Sequence, residues 1–169
     1  MMRRSVSIVL ISTSLTGGVA QAQPATGDIS LFTVRRGYTV TRAVEGLHNA
    51  RFLEFDDKGT LFVSRPREGE IVALRDEDGD GEYEVRTTFI SGKPTAHGMD
   101  FDGGWLYFTT RDAIFRARDA DGDGEADDVE TVISPDQLVA GRTHWWRSIL
   151  VTDDHIYTSV GDTGNINEA

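Results

Sequence analysis

Two runs of residues in this chain have the side chains for acid–base chemistry. His48-Asn49-Ala50-Arg51 and His144-Trp145-Trp146-Arg147 share the pattern His-x-x-Arg. A neutral imidazole can take a proton from a hydroxyl near pH 7. A guanidinium can hold an anionic group through paired hydrogen bonds. His97 supplies a third imidazole. Trp145 and Trp146 add two flat faces, and adjacent residues on a strand point to opposite sides. One tryptophan is therefore expected to stack on a planar cofactor or sugar ring, and the other to pack between elements. A further imidazole, His155 in Asp153-Asp154-His155, reads as a solvent-exposed hairpin residue.

A doubled acidic run offers cation chemistry instead. Asp76-Glu77-Asp78-Gly79-Asp80-Gly81 returns 43 residues later as Asp119-Ala120-Asp121-Gly122-Asp123-Gly124. Asp119, Asp121, Asp123, Asp127 and Glu130 match the carboxylate positions of the calcium loop D-x-D-x-D-G-x5-E. Calcium takes six to eight hard oxygens, which alternate carboxylates on a tight turn can supply. In the first run Asp76, Asp78, Asp80 and Glu84 match, but Thr87 stands where the last acid should be. No helical pattern flanks either run, so these are not EF-hands. The competing reading is a solvated acidic hairpin turn in which glycine supplies positive φ.

Short alternating apolar segments separated by turn residues predict strands. One set runs near Phe52–Phe55, Thr60–Ser64, Glu70–Arg75 and Val85–Ile90. A second runs near Gly98–Asp102, Trp105–Thr110, Ala113–Arg118 and Val129–Ile133, and a third opens with Ser148–Thr152 and His155–Val160. The sets superimpose, with the acidic run between strands three and four of each complete one. Four strands per unit at this period predicts an all-β chain of β-propeller blades. The blades are placed at 46–91, 92–134 and 135–169, the last a half-blade. An immunoglobulin-like sandwich would not repeat internally. A half-blade leaves an open strand edge, so the working protein is expected to be longer. Ile29–Val34 and Tyr38–Ala43, within an N-terminal segment 23–45, are expected to be strands of a ring-closing blade. In this frame His48, Arg51, His97, His144 and Arg147 converge on one channel mouth, and the acidic runs stay peripheral.

Arg3-Arg4, an apolar stretch over Ser5–Val19 and Ala20-Gln21-Ala22 read as a signal peptide, residues 1–22, cut before Gln23. The stretch is too short and too rich in Ser and Thr to span a bilayer. A periplasmic or secreted location follows. The chain's net charge of −11 becomes −13 without that segment, a balance that repels nucleic acid and favours cations. With no cysteine, these 169 residues hold no disulfide, thiolate metal site or c-type haem attachment.

His144-Trp145-Trp146-Arg147, followed by Ile156-Tyr157-Thr158-Ser159-Val160-Gly161-Asp162-Thr163-Gly164-Asn165, resembles the glucose/sorbosone dehydrogenase family. Leu47-His48-Asn49-Ala50 and Ala96-His97-Gly98-Met99 resemble that family's blade starts, and the likeness runs from Gly46 to Asn165. It implies an exported six-bladed propeller that depends on pyrroloquinoline quinone (PQQ) and calcium. It implies oxidation of a sugar or aldehyde by hydride transfer to the quinone; a cytochrome electron acceptor is a separate expectation. On this likeness His144 is the general base and Arg147 its electrostatic partner; His48, Arg51, His97, Trp145 and Trp146 are expected to bind the cofactor from their place at the blade starts. Two rivals stand beside it. One is a non-enzymatic calcium-stabilised propeller that binds carbohydrate or protein; the other is a lactonase-type hydrolase with a central metal.

Overall fold

The computed structural model describes residues 32–38, 40–138 and 144–161. The signal segment at residues 1–22 and the turn at residues 162–165 lie outside the described residues. Among those described there is no helix, and none long and apolar enough to cross a membrane. Residues 49–75 with 86–161 belong to one compact unit; the described residues up to His48, with 76–85, belong to a second.

Among the described residues, ten strands follow the expected order. β1 (Leu53–Phe55), β2 (Leu61–Arg65), β3 (Glu70–Arg75) and β4 (Val85–Ile90) form one four-stranded meander. β5 (Met99–Asp102), β6 (Trp105–Thr109), β7 (Ile114–Arg118) and β8 (Asp128–Ile133) form the next, and β9 (Ile149–Val151) pairs with β10 (Ile156–Thr158). Consecutive strands within a blade pair through short turns, except that the acidic loops join β3 to β4 and β7 to β8. In the first short turn, the Asp56 carboxylate accepts from the amides of Lys58 and Thr60 at 2.9 and 2.7 Å, and Gly59 adopts φ +89°.

The meanders are β-propeller blades packed face to face. Phe62, Ile71, Ala73, Phe89 and Ile90 of the first blade meet Ala96, Met99, Leu106, Phe108 and Ala117 of the second in one core. Phe62 packs edge-on against Phe89 with ring centroids 4.8 Å apart. Every residue of β2 is buried, as expected of a strand covered on both faces. Each large apolar side chain so enclosed contributes about 1.5–3 kcal/mol. A second cluster, Ile114, Leu138 and Ile149, joins the second blade to the β9–β10 pair. The outermost strand β8 instead carries Asp128 and Glu130 and is largely exposed, which discourages further pairing.

Neither proposed N-terminal strand forms a ladder among the described residues. The described residues before Ala43 are irregular, and the Tyr83 amide donates to the Ala43 carbonyl at 2.8 Å. A ring-closing segment would take its partner strands from outside the described residues.

Candidate active site

The three blade starts share one hydrogen-bond frame. The Arg51 amide donates to Ser64 O, and the His97 amide to Thr109 O. One residue later a hydroxyl takes over: Ser64 Oγ accepts from Phe52 N, Thr109 Oγ1 from Gly98 N, and Ser159 Oγ from Ser148 N, at 3.1, 3.1 and 3.0 Å. Arg51, His97 and Arg147 thus occupy one slot in three successive blades. The left-handed residue before that slot is Asn49 in the first blade (φ 55°) and Thr95 in the second (φ 69°). In the third it is His144 (φ 55°), one position earlier. The His48–His144 equivalence expected from spacing is therefore out of phase in the backbone. His48 is exposed and belongs to the second compact unit.

Four of the five residues expected to bind the cofactor gather: Arg51, His97, Trp145 and Trp146. The Trp145 and Trp146 rings stack on each other, with centroids 3.9 Å apart and planes at 26°. They do not point to opposite faces, because residues 144–148 precede β9 and lack the alternation of a strand. Arg51 lays its guanidinium 4.4 Å from the Trp146 ring centre, a cation–π contact. The His97 ring lies 4.7 Å from Trp146, 6.4 Å from Trp145 and 5.5 Å from Phe52.

His97 is oriented through its backbone-facing nitrogen. Nδ1 lies 2.9 Å from Arg147 O, and a carbonyl only accepts, so Nδ1 carries the hydrogen. In the neutral ring Nε2 is then the basic atom. Burial lowers the imidazole pKa, the bond to Arg147 O resists, and the nearby Arg51 charge adds to the lowering. His97 is thereby held neutral further into acid than an ordinary histidine.

Arg147 is not an exposed partner for His144. It is buried to 1 % exposure, and its guanidinium donates to Arg111 O at 2.9 Å and Ser159 O at 3.2 Å. Burial lowers its pKa, with Asp112 opposing. It is a structural cation that ties the segment after His144 to two neighbouring chain turns. His144 itself is exposed. His155 is exposed as expected, 2.9 Å from Asp154.

The acidic runs repeat each other bond for bond. Asp76 accepts from the amides of Gly79 and Gly81 at 2.7 and 2.8 Å; Asp119 accepts from Gly122 and Gly124 at 2.6 and 2.8 Å. Asp78 and Asp121 each accept from the amide two residues on, as do Asp80 and Asp123. Glu84 and Asp127 close the loops on the amides of Glu77 and Ala120. Burial pushes the Asp119 carboxyl up, but the amides of Gly122, Gly124, Asp121 and Asp123 outweigh it and hold it below the usual range. Oxygens of Asp76, Asp78, Asp80 and Glu84 lie within 4.8 Å of one another, and so do those of Asp119, Asp121 and Asp127.

Asp123 does not join that second group, and Glu130, the expected last ligand, is committed elsewhere. It lies on β8 opposite Arg116 of β7, and the Arg116 guanidinium donates to it at 2.8 and 2.6 Å. The ladder fixes that pairing, so the calcium pattern fails at its last position. The second loop also packs on the first blade. Arg75 donates to Gly122 O at 3.1 Å, and the Ala126 amide donates to Phe89 O at 3.0 Å, covering the edge of β4.

The TrAA12-like family model matches residues 32–169. The chain belongs to the TrAA12-like family. The likeness read from His144 to Asn165 is thus borne out at the level of family. No curated protein matches the chain. It is similar to a Trichoderma reesei structure of Carbohydrate-Active Enzymes Family AA12 determined with iodide, at 22 % identity and a TM-score of 0.61. That match covers 73 % of this chain and 32 % of the other. A calcium structure from the same family and organism matches at 22 % identity and a TM-score of 0.60, over the same shares. The holo PQQ domain of a Coprinopsis cinerea pyranose dehydrogenase matches at 19 % identity and a TM-score of 0.68. There the match covers 79 % of this chain and 33 % of that one. These likenesses show the propeller fold, and the chain spans about a third of the length of the solved structures it matches.

Sequence reasoning about this TrAA12-like chain missed the hydroxyls Ser64, Thr109 and Ser159, although the superimposed second strands already align them. It also missed a carboxylate pair on neighbouring inner strands. Asp100 on β5 accepts from the Val151 amide of β9 at 2.5 Å. Burial raises the pKa of Glu54 on β1, the Phe55 amide lowers it, and the Asp100 charge raises it again.

Proposed function

We propose that this chain carries the sugar-side proton acceptor and part of the cofactor wall of an exported PQQ-dependent dehydrogenase acting on a sugar or aldehyde. The observation that carries this is an exposed His144 at the end of a fixed segment, beside the cluster Arg51, His97, Trp145 and Trp146. Membership of the TrAA12-like family supports it, as does likeness in fold to a pyranose dehydrogenase PQQ domain.

The donor set fits a planar, anionic quinone. Arg51 offers a permanent positive charge, His97 a neutral ring nitrogen, and the paired tryptophans a flat apolar surface. When bound, the quinone supplies the two-electron acceptor for a hydride leaving the sugar carbon. His144 takes the proton from the hydroxyl on that same carbon, which leaves a carbonyl. The bond from Arg147 to Ser159 O anchors the segment that follows His144. A cytochrome is the proposed onward acceptor.

Calcium is the proposed cation at both acidic loops, where it would stiffen the turns. Their preformed carboxylate groups support this, as does the solution of an AA12 structure with calcium. The arrangement of residues 1–22 supports export. These residues alone are not expected to turn over, so the test is dye reduction by the full-length protein over a panel of aldoses, with and without PQQ and calcium. Activity that needs both additions, and that falls in His144→Ala, is expected. Unchanged turnover in His144→Ala would remove His144 as the base.

A further inference from the structure

We infer that Gly98 and Gly161 are positioning residues that set the pose of His144, acting on the backbone of residues 144–147 from opposite ends. This rests on the reading of His144 as the base. Neither glycine is needed for its conformational freedom, since neither has positive φ. Each is needed for room. A Cβ on Gly161 would collide with His144 O and sit 2.6 Å from His144 Cβ. A Cβ on Gly98 would collide with Arg147 O and lie 3.1 Å from Ser148 Cα. Real Cβ atoms do not come so close to backbone, and backbone cannot swing away as a side chain can.

The segment between the two glycines has little slack. Arg147 O is held by His97 Nδ1 at 2.9 Å and by Thr109 Oγ1 at 3.4 Å. The Arg147 guanidinium reaches Arg111 O and Ser159 O. Ser148 N and O are both engaged, by Ser159 Oγ and by Ser159 N. His144 therefore cannot relax away from Gly161 by sliding toward β9. It is also the left-handed residue of its blade start, a conformation that packing must maintain. Gly161 lies against its carbonyl and Cβ, so it controls the direction in which the imidazole leaves the chain.

The test uses the full-length protein that carries these residues, loaded with PQQ and calcium, as Gly161→Ala and Gly98→Ala. Nuclear magnetic resonance of ring-labelled histidine supplies a readout that does not depend on turnover. Gly161→Ala is expected to move the His144 ring signals and leave those of His97 in place. It should lower kcat by about 100-fold with KM unchanged, as expected when a reacting group is displaced by about 1 Å. Gly98→Ala, acting on Arg147 O, should move the signals of both rings. His144 signals and kcat unchanged in Gly161→Ala would overturn the inference. Should that variant fail to fold, Arg147→Lys, which cannot span both carbonyls, must shift the His144 signals; unchanged signals overturn the inference there too. If His144→Ala keeps its turnover, the base reading fails, and the ring signals of Gly161→Ala alone decide the clamp.

Discussion

Arg147→Met tests whether the guanidinium is a structural tie or an electrostatic partner. The substitution keeps the length and apolar bulk of the stem and removes the charge. It strips two donors from Arg111 O and Ser159 O, each a charge-assisted bond worth about 1.5–3 kcal/mol. Against that loss stands the cost of burying a cation at 1 % exposure, which the methionine relieves. Arg111 and Ser159 are exposed residues, so water can take over at their carbonyls and recover part of that loss. The net expectation is a destabilisation of about 2–4 kcal/mol. For a chain of this length each kcal/mol moves Tm by about 2–4 °C, so Tm should fall by about 5–15 °C. Urea unfolding followed by tryptophan fluorescence is the assay, because Trp145 and Trp146 adjoin the altered residue. The midpoint should drop with the slope unchanged. A variant as stable as the parent would refute the tie, and with it the claim that Arg147 anchors the segment behind His144.

Two further predictions concern charge. His97 has a folded pKa below its unfolded value, so its contribution to stability is present above the unfolded pKa and is lost as pH falls through the folded one. Stability should therefore decline from pH 7 toward acid, and His97→Gln should flatten that limb in unfolding curves taken across pH. Calcium at 100 times its dissociation constant should raise stability by about 2.7 kcal/mol per saturated site, and chelation should reverse it. Asp119→Asn, which replaces one of the two oxygens that accept from Gly122 and Gly124 by a donor and removes a candidate ligand oxygen, should abolish the gain at the second loop; a gain of equal size in the variant would reject that loop as the cation site.

The blade architecture was legible because its signals are local and repeated. Short apolar alternation, a glycine turn and an acidic loop recur at one spacing, and every strand expected from residue 52 onward has a counterpart in the structure. The acidic loops show why repetition informs. Eight aligned positions reproduce the same side-chain-to-amide bonds, since each bond joins residues close in sequence. What stayed hidden depends on partners far along the chain. Glu130 reads as a ligand by spacing but answers to Arg116 across a ladder. Tyr38–Ala43 has strand-like composition but no ladder partner among the described residues.

Arg51 and Arg147 carry this furthest. They occupy the same slot two blades apart, yet one lies exposed on Trp146 and the other is buried against two carbonyls. The difference follows from phase. In the second blade, the amide of Thr95 reaches Pro66 O, at the head of the preceding turn, with no help from a side chain. In the third, the left-handed residue comes one position early, and the equivalent carbonyl, Arg111 O, is reached by the Arg147 guanidinium. A one-residue shift thus converts an arginine from a surface group into a buried tie, and places an imidazole where the other two blades have an asparagine or threonine turn. Spacing alone predicts the slot; the side chain's task follows from which backbone group the shift leaves without a donor.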